Sequence, residues 1–365
     1  MAAGVGNMTY LYLVIGLVAL VAGAEVLVRG ASKLAMSFGV SPLVVGLTVV
    51  AFGTSAPEVA VSVGAAIKGS TDLAIGNVVG SNIFNVLVIL GLSALVKPLV
   101  VHRQIVRQEL PVLMGASMLL VLMVLDGHLS QVESAILFAL VVGYTIFIVR
   151  QSRAETKASG AEAPPPATGW DRHWSVQVLL IIAGLALLVV GSNLLVDAAI
   201  EIAKALGVSD MVIGLTIVAA GTSLPEVATS VMATIRGERD IAIGNVIGSN
   251  TFNILACLGA SGLVADGGLG VAKEVLAFDI WVMLGVAAAT IPLFITGYVI
   301  TRLNGLLLLG FYVAYTLMLV MTANGDAGAA DIGNAMMRYV LPGTVVLLVV
   351  MMLRYPHKPE SPPGV

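Results

Sequence analysis

The chain has 365 residues, 58% of them hydrophobic and only 11% charged, with a mean hydropathy of +1.02 and a formal net charge of −3. A chain this apolar does not persist in water as a globular protein, so it reads as a polytopic membrane protein. The charge balance, with no basic clusters, leaves nucleic acid no footprint. The single Cys257 excludes an intramolecular disulfide framework or a multi-cysteine metal site and is assigned to packing.

A helix needs about 20 apolar residues to cross a bilayer. Such stretches lie near residues 10–28, 42–66, 73–96, 108–126 and 130–149. A second series lies near 175–200, 210–234, 241–264, 276–297 and 304–322, with an extra span near 339–353. The first stretch follows an N-terminus without lysine or arginine and contains Glu25 and Arg29, which suits a retained span better than a cleaved signal. Between the two series, the run Pro164, Pro165, Pro166 sits among small and charged residues and reads as a flexible linker. Two acids among glycines, Asp326 and Asp331, read as part of a solvent loop. The expected organisation is a first repeat at 1–150, a cytoplasmic linker at 151–174, a second repeat at 175–323, an outer loop at 324–338, an extra transmembrane helix at 339–353 and a cytoplasmic tail at 354–365.

Basic residues orient the spans. With the N-terminus outside, 14 of the 18 lysines and arginines fall on the inner side, and only Lys68, Lys204, Lys273 and Arg338 fall outside. The C-terminus is then cytoplasmic.

The segment GTSAPE at 53–58 returns as GTSLPE at 221–226, an offset of 168, and the same offset aligns GNVVGSNIFN at 76–85 with GNVIGSNTFN at 244–253. Two long matches at one offset indicate duplication. Each unit holds five spans, an odd number, so the second enters the membrane with reversed polarity. The fold class expected is therefore an all-α membrane protein of two inverted five-helix repeats, with broken helices at its centre and one extra C-terminal helix.

Glycine and proline mark the breaks. Pro57 has no N–H for the helix ladder and Gly53 weakens the turn before it, so the second span should bend near 51–57; Pro225 and Gly221 do the same in the seventh. Ala51 and Ala219 are the carbonyl donors such a break would offer. Beside each break stands an acid, Glu58 or Glu226, whose burial in hydrocarbon costs about 2.5–3.5 kcal/mol unless it is paired, hydrated or metal-bound. Neither has a basic neighbour in sequence. Two buried carboxylates with threonine hydroxyls, Thr54 and Thr222, and freed carbonyls form the hard oxygen shell preferred by calcium. On the third and eighth spans Ser81 and Asn85, like Ser249 and Asn253, stand four residues apart and can face one cavity. Asn77, Asn82, Asn245 and Asn250 are suited to bridging helices or satisfying broken backbone. Gly76, Gly80, Gly244 and Gly248 form small-residue stripes for close helix contact.

Together these motifs resemble the calcium/cation antiporter superfamily, specifically its compact prokaryotic sodium/calcium exchanger-like members, over about residues 10–322. The resemblance implies four adjacent cation positions between the repeats, one suited to calcium and the others used in sodium exchange. It assigns as ligands the carboxylates of Glu58 and Glu226, the hydroxyls of Thr54, Ser55, Thr222 and Ser223, the carbonyls of Ala51 and Ala219, and Ser81, Asn85, Ser249 and Asn253. It further implies that the first and sixth helices, which carry Glu25 and Asn193 at aligned positions, slide against the core. Some archaeal relatives have an acid where this chain has Asn253, which bears on stoichiometry and on sodium against proton coupling.

The expected function is secondary calcium/sodium antiport by alternating access in a prokaryotic inner or plasma membrane. Proton/calcium exchange, potassium-dependent exchange and a calcium-permeable channel are the alternatives. No HExxH or nucleophile motif supports an enzyme. Calcium and sodium ions and membrane lipids are the expected partners, with no cofactor, no nucleic acid and no obligate protein partner.

Overall fold

The computed structural model describes residues 7–158, 171, 173–206, 217, 219–324, 328, 333 and 338. Most of the expected linker, the leading part of the seventh span, Asp326 and Asp331, the extra helix 339–353 and the tail 354–365 lie outside the described residues.

The first helix, α1 (Asn7–Phe38), is longer than its apolar stretch. Past the hydrocarbon-sized segment, Arg29 and Lys33 share a partner: both reach Asp171, Arg29 Nε at 2.7 Å and Lys33 Nζ at 2.8 Å. Then Ser41 caps the next helix, its hydroxyl accepting from the Val44 N–H, and Pro42 occupies the first turn, where a missing N–H costs nothing. The second span is α2 (Pro42–Thr54) and α3 (Ala56–Ile67), bent by 46° where Pro57 was expected to break it. α4 (Thr71–Val96), α5 (Ile105–Met123) and α6 (Gln131–Ala158) complete the first repeat. The second repeat is α7 (Trp174–Ala205), the short turn α8 (Ala219–Gly221), α9 (Leu224–Arg236), α10 (Arg239–Val264), α11 (Val275–Ile295) and α12 (Arg302–Ala323). Among the described residues, eight helices are long and apolar enough to cross a membrane, nine with the bent pair.

The repeats are inverted relative to one another. Matching helices α1 and α7 pack antiparallel, with Gly16 against Gly191, Gly23 against Gly184 and Gly30 against Gln177. Glycines seven residues apart put one bare strip on each helix, and the backbones meet there. A Cβ built on Gly184 would stand 2.7 Å from the Leu27 nitrogen, and one on Gly191 would stand 2.7 Å from the Leu20 nitrogen.

Two small β-pairs, absent from the sequence expectation, tie the repeats at the helix ends. β1 (Leu99–Val100) pairs antiparallel with β4 (Val299–Ile300), and β2 (His128–Leu129) with β3 (Leu269–Gly270). Each joins one repeat to the other, and the pseudo-two-fold axis exchanges the two pairs. They satisfy backbone groups where short loops leave the helices.

Burial runs opposite to a water-soluble protein. Large apolar side chains such as Leu17, Leu122, Phe147, Leu179 and Leu306 are exposed, which suits a lipid solvent, while Thr54, Glu58, Asn85, Glu226, Asn245 and Asn253 are wholly buried. In the most apolar stretch of α10, 94% of the residues are buried, against 17% in that of α12. The polar motifs therefore lie on the innermost helices.

The glycine stripes behave unequally. Gly244 and Gly248 pack as expected against backbone of α2, with built Cβ atoms 2.9 Å from the Leu43 carbonyl oxygen and 2.7 Å from that of Leu47. A Cβ built on Gly76 or Gly80 would have nothing among the described residues within 4 Å apart from the helix's own nearby backbone. The segment matching 43–47 in the second repeat, 211–215, is outside those residues.

Three polar ties join the α1–α7 pair to the helices around it. Arg236 at the end of α9 pairs with Glu25, Ser32 donates to Glu238 at 2.9 Å, and Ser192 donates to the Gly221 carbonyl at 2.7 Å. Glu25 thus has a bridging role, whereas its aligned residue Asn193 is exposed.

Candidate ion-binding site

Each broken span delivers its motif to the opposite repeat. In α2 the turn at Thr54 and Ser55 ends one helix and α3 begins another, with Glu58 in its first turn; Ser223 and Glu226 take the same places before and within α9. Ser55 donates to Glu226 Oε1 at 2.9 Å, and Ser223 donates to Glu58 Oε1 at 2.8 Å. The two carboxylates are thereby cross-laced through hydroxyls of the other repeat. Ser223 also lies 3.3 Å from the Ser81 hydroxyl.

Proline frees a different carbonyl from the one nominated. Ala51 is not orphaned: its oxygen accepts the Ser55 N–H at 3.0 Å and the Thr54 hydroxyl at 3.4 Å. Pro225 removes the N–H that would reach back to Gly221, and the Ser192 hydroxyl takes its place there. At the matching position before Gly53 stands Ala24, which has no hydroxyl. Ser192→Ala should leave the buried Gly221 carbonyl unpaired and cost about 1–3 kcal/mol, seen as a lower melting temperature; an unchanged melt would mean another group satisfies that oxygen. Ala219 opens α8, and the residues before it that would complete its turn are largely outside those described.

Four asparagines hold the backbone at the breaks or cross between repeats, as their positions suggested. Asn77 donates to Ser62 Oγ at 3.0 Å and to the Glu58 carbonyl at 3.4 Å; Asn245 donates to Ser230 Oγ at 2.9 Å and to the Glu226 carbonyl at 3.5 Å. The Asn245 oxygen accepts from Thr54 at 3.1 Å. Asn82 and Asn250 donate to one another's backbone carbonyls at 3.2 and 3.4 Å. Asn85 then donates to Asn250 Oδ1 at 3.0 Å, and Asn253 to Asn82 Oδ1 at 3.2 Å.

The atoms left over define the chemistry. Glu58 Oε2, Glu226 Oε2, Asn85 Oδ1, Asn253 Oδ1, Thr222 Oγ1 and Ser249 Oγ are buried without a hydrogen-bond partner. Native proteins rarely bury so many acceptors unpaired. Every one is an oxygen, and the first four form two pairs related by the repeat axis. No cluster of three or more His, Cys, Asp or Glu exists among the described residues, so the set offers no thiolate or imidazole shell. Unpaired carboxylate, amide and hydroxyl oxygens fit a hard cation such as calcium or sodium.

Sequence reasoning missed several neighbours. Cys257 is buried but does more than pack, since its thiol lies 3.5 Å from the Glu58 carbonyl. Ser62 and Ser230 anchor Asn77 and Asn245. Tyr144 donates to Glu109, and Tyr315 donates to Asp279 at 2.8 Å, so each repeat carries an acid–tyrosine pair outside the centre. Each acid ends a five-residue π-helical turn, Ile105–Glu109 and Val275–Asp279, but the two stand 170 residues apart, so the motif offset of 168 carries no signal for them.

The profile of the sodium/calcium exchanger protein family matches residues 8–150 and 176–321, one block in each repeat. The chain belongs to the sodium/calcium exchanger family. It is 34% identical to the sodium/calcium exchanger MaX1 of Methanosarcina acetivorans over 86% of this chain and 99% of that one. It is 36% identical to the inner membrane protein YrbG of Escherichia coli over 70% of this chain and 79% of that one. The solved structure of the sodium-calcium exchanger NCX_Mj soaked with 10 mM Na+ and zero Ca2+ superposes with a TM-score of 0.70 at 32% identity, covering 84% of this chain and 96% of that one. The exchanger family is one of transporters, and the shared fold is the all-α membrane architecture described above.

Proposed function

We propose that this exchanger moves calcium against sodium across a prokaryotic inner or plasma membrane by alternating access, with ions held between the two broken spans. The observation that carries this is the set of unpaired buried oxygens at the repeat interface, above all Glu58 Oε2 and Glu226 Oε2. Two carboxylates without a basic partner repel one another in a low dielectric, and a divalent cation neutralises both at once. Sodium ions competing for the same oxygens can release calcium. The proposed ligands are Glu58, Glu226, Thr54, Ser55, Thr222, Ser223, Ser81, Asn85, Ser249 and Asn253, with the carbonyl of Ala219 and that of Ala51, where a cation would take the place of the long 3.4 Å contact from the Thr54 hydroxyl. No cofactor and no obligate protein partner enters this scheme. The proposed placement has the N-terminus outside and residues 151–174 and 354–365 in the cytoplasm. A reporter fused after Val365 and found outside would reverse it.

Asn253 cannot gain and lose a proton as an aspartate does, so the site holds two acids rather than three. Calcium flux should therefore follow an imposed sodium gradient. The measurement is radioactive calcium uptake into liposomes holding the purified protein, with sodium, potassium, proton and voltage gradients clamped independently. Uptake driven by a proton gradient at zero sodium would replace sodium with protons in this scheme, and a requirement for potassium would add that ion. Large single-channel currents without a counter-ion would identify a channel instead.

A further inference from the structure

We propose that Asn82 and Asn250 are positioning residues that fix, each from the opposite repeat, which end of the Asn253 and Asn85 carboxamides faces the ions; this rests on the cation-site reading above. A carboxamide has a donor end and an acceptor end of nearly equal size, so packing alone does not orient it. Here the orientation is forced in sequence. A backbone carbonyl only accepts, so the part of Asn82 that lies 3.2 Å from the Asn250 carbonyl is its nitrogen. The same holds for Asn250 against the Asn82 carbonyl at 3.4 Å. Each side-chain oxygen therefore points the other way, where Asn253 and Asn85 meet it.

Those two amides must then offer their nitrogens, at 3.2 and 3.0 Å. What remains is Asn253 Oδ1 and Asn85 Oδ1, both buried and unpaired. The polarity of two backbone carbonyls is thus passed through two amides to two unpaired buried oxygens of the proposed site. The relay is crossed, because Asn82 orients Asn253 of the second repeat and Asn250 orients Asn85 of the first. Without its acceptor, Asn253 could rotate by half a turn and present N–H groups to a cation, which repel it.

The test uses the full chain, purified in detergent, with calcium affinity read by calorimetry and folding by thermal melting. Asn82→Leu and Asn250→Leu should each weaken calcium binding by about tenfold. A carboxylate has oxygen at both ends and needs no orienting. Asn253→Asp should therefore restore affinity in the Asn82→Leu background about tenfold more than in the Asn250→Leu background, and Asn85→Asp should do the reverse. Both aspartates add the same charge, so a general electrostatic gain cancels in this comparison. Equal gains in both backgrounds, with wild type binding calcium normally, would overturn the relay and leave the cation site standing. Wild type that binds no calcium would overturn both. If the leucine variants do not fold, a strontium-soaked structure of the wild type decides: the metal is expected at the amide end of Asn85 and Asn253 that faces away from Asn250 and Asn82, and a metal at the end that meets them, or either amide turned off its Asn250 or Asn82 partner, refutes the relay.

Discussion

Glu58→Gln or Glu226→Gln should each weaken calcium binding by at least about 100-fold, or roughly 2.7 kcal/mol, and stop calcium exchange while the protein still folds. Glutamine keeps an oxygen for the cross-repeat hydroxyl, Ser223 for Glu58 and Ser55 for Glu226. Its second terminal atom becomes an amide nitrogen where the unpaired Oε2 now stands. One substitution thus removes both the charge and the ligand. Without calcium, the variants should melt at or above the wild-type temperature, because a buried carboxylate short of partners has been neutralised. Calcium calorimetry, vesicle flux and thermal melts on the same preparations check this. Near-normal calcium affinity in both folded variants would sink the paired-carboxylate site.

The second large effect is expected away from the ions, at the seam between α1 and α7. A Cβ on Gly184 or Gly191 would stand 2.7 Å from backbone nitrogen of α1, closer than real side chains approach, and backbone cannot swing aside as a flexible side chain can. Gly184→Val and Gly191→Val should each cost about 1–3 kcal/mol by overpacking, and the pair together should abolish transport. Melting temperature and calcium flux are the readouts. A double variant that melts and transports like wild type would show that the helices do not depend on this close approach.

The sequence revealed the site because duplication repeats its chemistry at a fixed offset. Glu58 and Glu226 stood out as acids where hydrocarbon should reject them, and the bend at Pro57 followed from a missing N–H. The bridging roles of Asn82 and Asn250 were also readable, since polar residues among glycines in an apolar span must bond to something. The crossed partnership was not, because a sequence shows which residues match across repeats but not that Ser55 bonds Glu226 rather than Glu58. The carbonyl that Pro57 frees is that of Gly53, two residues past Ala51. The Ala51 oxygen keeps the Ser55 N–H because the ladder holds until the proline itself. The π-helical turns at Asn85–Ile89 and Asn253–Cys257 have no side-chain signature, being shifts in backbone register. Glu109 and Asp279 escaped notice because the loops before them differ in length, so the offset of 168 no longer aligns them. The seven-residue glycine spacing of α1 and α7 was hidden in segments read only for hydropathy.

Under the proposed alternating access, two inverted halves alone would make the inward-open and outward-open states equal in energy, each being the other with the repeats exchanged. The ties on α1 and α7 lift that degeneracy. Exchanging the repeats would set Ala24 opposite Gly53, Asn193 opposite Lys68 and Ile200 opposite Ser70. Two of these lack the hydroxyl that Ser192 and Ser32 supply, and the third replaces the Glu25–Arg236 ion pair with a neutral amide facing an ammonium. A buried hydrogen bond worth about 0.5–1.5 kcal/mol shifts a two-state population roughly 2- to 13-fold. The empty carrier should therefore rest with one face open, and reversing the ion gradients should reverse the flux without making the two directions equally fast.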